Sequence, residues 1–388
     1  MAGARRVVGV AGAALLLSLL VSGCLWRDVS ILASDDMAGR KLGSPGGAMA
    51  RRYLIDRLST RAEPIRPDAT GDDRYLQPIQ DGANVLGIIP GTELPDEYVI
   101  VGAHYDGQGT SCRTTVPGDG VCNSATDNAA GVAAALSIAQ DLVDHPPRRS
   151  VVIALWDGEE ANLRGSIAYV NAPVVPLAQT VAYVNFDVLG SNLLPSLRTT
   201  TFAVGAETGG PVLTGIVRDA VDADALDTAM VSAVLGAYRS DYTAFLTSSI
   251  PTVFFSDSTG PCYHTPGDDI DVVDFDKLDH QVATATRVVR ALADGAERPT
   301  WTAAPLTTFD DVVAVGDVMD RSSVDWSRFS AADRQTLNAI RSDLTAVRDA
   351  GPAAYDADAQ STLLNRANQG ISVFTRGTCD GFLAPTTP

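Results

Sequence analysis

From Asn84 onward the chain alternates short β-rich apolar runs with longer helical ones, and no other feature restricts its fold so strongly. "NVLGIIPG" and "EYVIVGAHYD" are strand-like, separated by the turn-like "TELPD". An apolar helix follows Asp127, interrupted between Ala129 and Ala139 only by Gly131 and Ser137, which predicts burial on most of its sides. "RSVVIALWDGEE", "TVAYVNFDVLG", "TFAVGA" and "PTVFFSD" read as further strands. Helices are expected from near Glu159 through "ANLRGSIAYV", at "GPVLTGIVRDAV" and at "FDKLDHQVATATRVVRALAD". This alternation predicts an α/β fold whose sheet is covered by helices on both faces. "SPGGAMARRYLIDRLST" reads as a helix that opens the domain. Past Arg298 a Pro/Thr-rich connection leads into polar helical sequence from about 310 to 375, which predicts a helical C-terminal extension over 299–388.

The polar residues fall at the ends of the strand-like runs. "EYVIVGA" ends at His104 with Asp106 two residues on, "VVIALW" ends at Asp157 with Glu159 and Glu160 following, and "VAYVNF" ends at Asp187. In open α/β sheets ligands bind outside the carboxyl ends of the strands. With Asp127, and with His264 in "CYHTPGDD", one rim would hold several acids and two imidazoles. Acids so crowded raise one another's pKa values unless a cation joins them. Mixed His and carboxylate donors suit a divalent ion such as zinc, and two histidines with three carboxylates suffice for two ions that share a bridge. The spacing of His104 and Asp106 fits a carboxylate that orients an imidazole, and the neighbouring Glu159 and Glu160 can divide metal binding from proton transfer. Taken singly, each residue has a plainer explanation. Asp127 could cap the apolar helix, Glu159 could sit in a first helical turn, Asp187 could cap the turn before Gly190, and His264 could be a loop residue.

The amino terminus, "MAGARRVVGVAGAALLLSLLVSGC", has the basic start, apolar run and small residues of an export signal, and the run is short for a membrane span. "VSGC" resembles a bacterial lipobox, which implies a signal over 1–23, a lipid on Cys24 and a membrane-anchored protein; an ordinary signal cut nearby is the alternative. Either way the protein is expected to work outside the cytoplasm. Four further cysteines in an oxidising compartment suggest disulfides. Cys112 and Cys122 bracket a Pro/Gly loop and are the favoured pair, which leaves Cys262 for Cys379. A net charge of −18 repels phosphate backbones and argues against nucleic acid as a partner.

These residues resemble the M28 metallopeptidases, the zinc aminopeptidase family, over about 31–295. The resemblance rests on "LASDDMAGRKLGSPGG", "NVLGIIPGTELPDEYVIVGAHYD", "SATDNAAGVAA", "LWDGEEANLRGS", "VNFDVLG" and "CYHTPGDDID", met in the family's order. It implies a mixed, mostly parallel sheet within 24–298 and two zinc ions at the strand ends. It further implies that His104 and Asp187 hold one ion, Glu160 and His264 the other, and that Asp127 bridges them. Glu159 matches the general base, Asp106 the partner of the first histidine, and a cis peptide is implied between Asp127 and Asn128. The activity implied is removal of N-terminal residues from peptides or aminoacyl substrates.

Two positions depart from the family. Tyr242 of "SDY" stands where the family usually has histidine, and Thr126 stands where it usually has an acid before the bridging aspartate. "ATD" and "LWDGEEA" are also similar to glutaminyl cyclases, relatives with one zinc that close N-terminal Gln into a ring. That activity is the main alternative. A lipid-anchored binding protein with a disabled site is another, and it would require missing ligands.

Overall fold

The structure, a computed structural model, describes residues 23–114, 118–303 and 307–379. The export signal expected over 1–23 therefore lies, up to residue 22, outside the described residues. Cys24 is exposed and unpaired, and among the described residues no helix is long and apolar enough to cross a membrane.

The predicted α/β architecture is present. Its strands are β1 (Glu63–Pro64), β2 (Leu76–Ile79), β3 (Gly82–Ile89), β4 (Leu94–His104), β5 (Arg149–Trp156), β6 (Thr180–Phe186), β7 (Thr200–Val204), β8 (Asp227–Val231) and β9 (Thr252–Ser256). Among the described residues they form one sheet in the order β1-β3-β5-β4-β6-β9-β7-β8, with β2 also on β3. The centre, β5-β4-β6-β9, is parallel, while β3 and β7 run antiparallel to their inner neighbours. All eight residues of β5 are buried, as expected of a central strand covered on both faces.

Side-chain alternation splits the core in two. Val99, Val101 and Ala103 of β4 face α1 (Pro45–Ser59), α2 (Ala130–Asp144), α4 (Gly210–Asp222) and α6 (Phe275–Asp294). Ile100, with Trp156 of β5 and Tyr183 of β6, faces α3 (Arg164–Asn171) and α5 (Tyr242–Thr247). Register then fixes the rim. His104 lies opposite Trp156, and Ala103 lies opposite Phe186, so the residues that follow β5 and β6 emerge level with His104.

The helical extension comprises α7 (Phe309–Ser322), α8 (Ala331–Ala350) and α9 (Ala357–Thr375). It carries its own apolar cluster, including Met319, Trp326, Leu337, Ile340 and Phe374, which packs on Leu193, Leu194 and Leu197. Thr308 and Asp311 form a capping box that starts α7, and Asp311 also accepts from the N–H and hydroxyl of Ser232, tying the helix to the end of β8. Both expected disulfides are present, Cys112–Cys122 and Cys262–Cys379.

Two expectations need revision. The helix expected near Glu159 begins only at Arg164, because Gly158, Asn162 and Leu163 take left-handed φ of 76°, 71° and 57° and wind the chain into a turn first. Strand β8 was not anticipated; only its last residue is buried, so "DTAMV" carries no alternation to read.

Candidate metal centre

Each sequence-predicted residue reaches the rim from a different element. His104 ends β4 and is fully buried; Asp187 follows β6; Glu159 and Glu160 follow β5; His264 lies in the loop after β9. Asp127 precedes α2 and is joined to Asn128 by a cis peptide. It does not cap the helix. Asn128 does that work, accepting from the Gly131 N–H at 3.2 Å while its amide donates to Phe186 O at 2.8 Å. Gly131 is obligatory here, since a Cβ would come within 2.1 Å of the Asn128 amide oxygen.

With its side chain free of capping, Asp127 turns one oxygen toward each histidine. Its Oδ1 lies 3.2 Å from His104 Nε2, which is also 3.2 Å from Asp187 Oδ1. Its Oδ2 lies 3.1 Å from His264 Nε2, which is 3.0 Å from Glu160 Oε1. Two donor triads result, His104–Asp127–Asp187 and Asp127–Glu160–His264, each with its donor atoms within 4.8 Å of one another. Asp127 Oδ2 and Glu160 Oε1 are buried and meet no donor other than His264 Nε2. Buried carboxylate oxygens so sparsely satisfied are costly, and here they converge with imidazole nitrogens, so the donor set fits divalent cations of the zinc type.

The electrostatics agree. Burial pushes Glu160 up to about 7, with the Asp127 charge adding to it, and burial also raises Glu159 and Asp187. Burial opposes charge on His264, but Asp127 and Glu160 outweigh it and push the imidazolium up to about 10. The same balance raises His104, where Asp187 and Glu159 prevail over burial, and Asp127 is held below the usual range by its two imidazoles. Without a cation the rim therefore stabilises protons on its histidines.

Supporting residues hold this geometry. The Asp106 carboxylate accepts from the N–H groups of Glu159 and Glu160 at 3.0 and 3.2 Å, which fixes the backbone of both glutamates. His104 Nδ1 lies 3.1 Å from the Asp106 carbonyl and 3.6 Å from its carboxylate. Asp157, although also at a strand end, is turned aside. It accepts from Tyr105 Oη at 2.6 Å and Ala83 N at 3.1 Å.

Four contributors escaped the sequence reading. Asp268, fully buried, accepts from Thr126 N at 2.9 Å, Thr126 Oγ1 at 2.7 Å and Asp127 N at 3.1 Å. Thr126 thus serves as a donor to an acid from another loop, and the "PGDD" after His264 was its only signal. Arg40, also buried, donates to the carbonyls of Tyr105, Asn123 and Ser124 at 2.8, 2.8 and 2.9 Å, pinning the segments that carry His104 and Asp127. The Gln108 amide donates to Glu160 Oε2. Asp241 lies buried beside Ser240, with neither carboxylate oxygen hydrogen-bonded.

The model of "Peptidase family M28" matches residues 84–289. The Zea mays protein named "Probable glutamate carboxypeptidase VP8" is 36% identical over 122 residues, which are 30% of this chain and 15% of that protein. Aminopeptidase NAALADL1 of Mus musculus is 30% identical over 152 residues, 36% of this chain and 19% of that protein. This chain thus spans under a fifth of the length of either relative. Among solved structures, the glutaminyl cyclase of Bacteroides thetaiotaomicron bound to N-acetylhistamine superimposes with a TM-score of 0.55 at 18% identity, over 69% of this chain and 97% of that one.

Proposed function

The chain belongs to peptidase family M28, and from that premise we propose that it is a two-zinc exopeptidase that removes N-terminal residues from peptides. The observation that carries this reading is the pair of donor triads sharing Asp127, one oxygen toward each. In this reading His104 and Asp187 hold one ion, Glu160 and His264 the other, and Asp127 bridges them. Zinc bound there supplies a Lewis acid and lowers the pKa of water.

The protein's own groups do the rest. Glu159, whose Oε2 lies 4.0 Å from His104 Nε2, is held by Asp106 at the edge of the rim. It takes a proton from the attacking water as the C–O bond forms, and returns it to the amine as the C–N bond breaks. Burial raises its pKa, which suits a group that must both accept and release that proton. Gln108 holds Glu160 from the solvent side through its amide donor. Every ligand position is filled, which weighs against a disabled binding protein.

The test combines metal content with turnover. Glu159→Gln is expected to keep its zinc and to lose at least ~10³-fold in kcat on aminoacyl substrates. Retained turnover would refute the assignment. A panel of Gln-peptides and of peptides blocked at either end separates the remaining activities. One zinc with ring closure would replace this reading by a cyclase, and release from the carboxyl end would replace it by a carboxypeptidase.

A further inference from the structure

The two donor triads are held by different means. His104 ends β4 and Asp187 follows β6, so the register of the parallel sheet sets them level. His264 has no such support, because it lies in the loop after β9 and takes a left-handed φ of 58°. A residue with a side chain seldom keeps that conformation unless its surroundings hold it there. What holds His264 therefore decides how well its triad keeps its shape.

The carbonyls of this loop divide into two sets. Those of Gly260, Cys262 and Thr265 accept from within the loop, from the N–H groups of Tyr263, Thr265 and Asp268 at 3.2, 3.0 and 3.1 Å. Those of Pro261, Tyr263 and His264 accept from one residue far away in the chain. Arg113 donates from Nη2 to Pro261 O at 3.0 Å, from Nε to Tyr263 O at 3.2 Å, and from its backbone N–H to His264 O at 2.6 Å. Its guanidinium reaches two carbonyls at once as a planar fork, which a single ammonium does not. Tyr263, fixed in this way, stacks its ring on the His264 imidazole with 3.7 Å between centroids and 18° between planes. The Cys262–Cys379 disulfide anchors the same loop to the end of the extension through one side chain, and leaves these three carbonyls to Arg113.

Arg113 is itself mounted. Its neighbour Cys112 is bonded to Cys122, whose N–H donates to Gly109 O at 2.8 Å, and the Gly109 N–H donates in turn to Gly39 O at 3.1 Å. Cys122 leads into Asn123 and Ser124, whose carbonyls Arg40 holds, and so toward Asp127. The disulfide thus connects, through Arg113, the segment that carries Asp127 to the loop that carries His264, two donors of one triad. On the far side of His264, Asp268 makes a second connection, to Thr126 and Asp127. The three bonds of Arg113 end on the His264 loop, and none at the ends of β4 and β6.

We propose that Arg113 is a positioning residue for His264 and that, mounted on the Cys112–Cys122 disulfide, it sets the zinc affinity of the Asp127–Glu160–His264 triad and leaves the His104 side of the centre unaffected. This rests on the reading of the two triads as zinc sites.

Zinc affinity is measured ion by ion on the full chain, by competition with a chromogenic chelator. Arg113→Ala is expected to weaken one ion about 10–100-fold, as loss of a group that orients a ligand does, and to change the other less than about twofold. His264→Ala identifies the ion. Arg113→Ala added to it should leave the remaining ion unaffected, since a residue that acts through His264 has no effect once His264 is gone. Arg113→Lys should recover only part of the loss, because one ammonium replaces the fork. Cys112→Ala with Cys122→Ala should weaken the same ion, and combining it with Arg113→Ala should add little. That pair also serves should Arg113→Ala fold poorly. Melting midpoints with and without zinc separate positioning from plain stabilisation, since weaker binding lowers the zinc-loaded midpoint more than the zinc-free one. An equal fall in both midpoints with unchanged zinc affinities, or equal weakening of both ions, would overturn the proposal. A parent chain that binds a single ion would retire the two-zinc reading; the role of Arg113 stands if that ion is lost in His264→Ala and weakened in Arg113→Ala, and falls if the ion is indifferent to Arg113.

Discussion

The rim and the helical extension use charge in opposite ways. At the rim Asp106, Asp127, Asp187, Asp241 and Asp268 are buried together with His104, and two carboxylate oxygens of the triads meet no donor other than His264 Nε2. In the extension the charged groups pair at the surface, Arg341 with Asp320, Arg348 with Asp317 and Asp320, Arg376 with Asp333, over a core of Leu337, Ile340 and Leu344. Such exposed pairs contribute little to stability, whereas converging buried acids oppose it until a counter-charge arrives. The difference separates a region whose donors fit ligation from one built for packing. It also says where a substitution should act on chemistry and where on stability.

The largest effect is expected at the residue shared by the two triads. Asp127→Asn removes charge from both triads at once; under the proposed two-zinc reading, zinc content should fall from two ions toward none and turnover by more than ~10³-fold, a rise of more than ~4 kcal/mol in activation free energy. Elemental analysis with single-substrate kinetics checks both. If that variant retains two ions, Asp127 is not the bridge. Next in size, Leu337→Ala in the extension leaves a cavity where a fully buried side chain was and should cost ~2–5 kcal/mol in a denaturant titration. Because its cluster also packs on Leu193, Leu194 and Leu197, near the end of β6, the loss should report on the whole chain rather than on the helices alone. A separate early transition confined to the helices would show that the two regions unfold independently.

A smaller effect is expected one step back from the ligands. Asp268 touches no donor atom of either triad but accepts three hydrogen bonds from Thr126 and Asp127, so it is a positioning residue. Asp268→Asn should weaken zinc binding ~10–100-fold, the usual consequence of losing a group that orients a ligand. Competition with a chromogenic chelator measures it. A purely structural role would lower the melting midpoint equally with and without zinc, whereas positioning should widen the gap between the two midpoints.

The sequence made the fold and the convergence of the candidate ligands legible for the same reason. β4, β5 and β6 are continuous apolar runs, so their ends are sharp, and the register that sets His104 level with Trp156 and Asp187 follows from parallel pairing. Residues that act across the chain left no such mark. Asp268 reaches Thr126 over 142 positions, and Arg40 reaches Ser124 over 84. Nothing in the pattern near Arg40 requires burial of a guanidinium; the four backbone carbonyls that it meets, those of Leu32, Tyr105, Asn123 and Ser124, explain it. The turn at Glu159 was hidden too, since "EEANLRGSIAYV" has good helical residues and nothing in it announces the left-handed φ at Asn162 and Leu163 that delays the helix to Arg164.

The smallest effect sharpens the comparison most. Arg348 reaches Asp317 at 3.4 Å and Asp320 at 3.2 Å, and Asp320 is held by Arg341 at 2.6 Å, so the extension carries a small surface network. Solvent screens all four side chains, and Arg348→Ala should cost under ~1 kcal/mol. Salt decides whether that cost is electrostatic. At ~1 M ionic strength the screening length falls to ~3 Å, about the length of the pair itself, so the parent and the variant should converge in denaturation midpoint. The rim is shielded by burial, and the same salt should leave the zinc deficit of Asp127→Asn unchanged. If the Arg348 deficit persisted in high salt, packing would be its contribution, the guanidinium lying over Gly316, where a Cβ would be 3.5 Å from it. The extension would then be held by packing out to its surface, and charge would matter only at the rim.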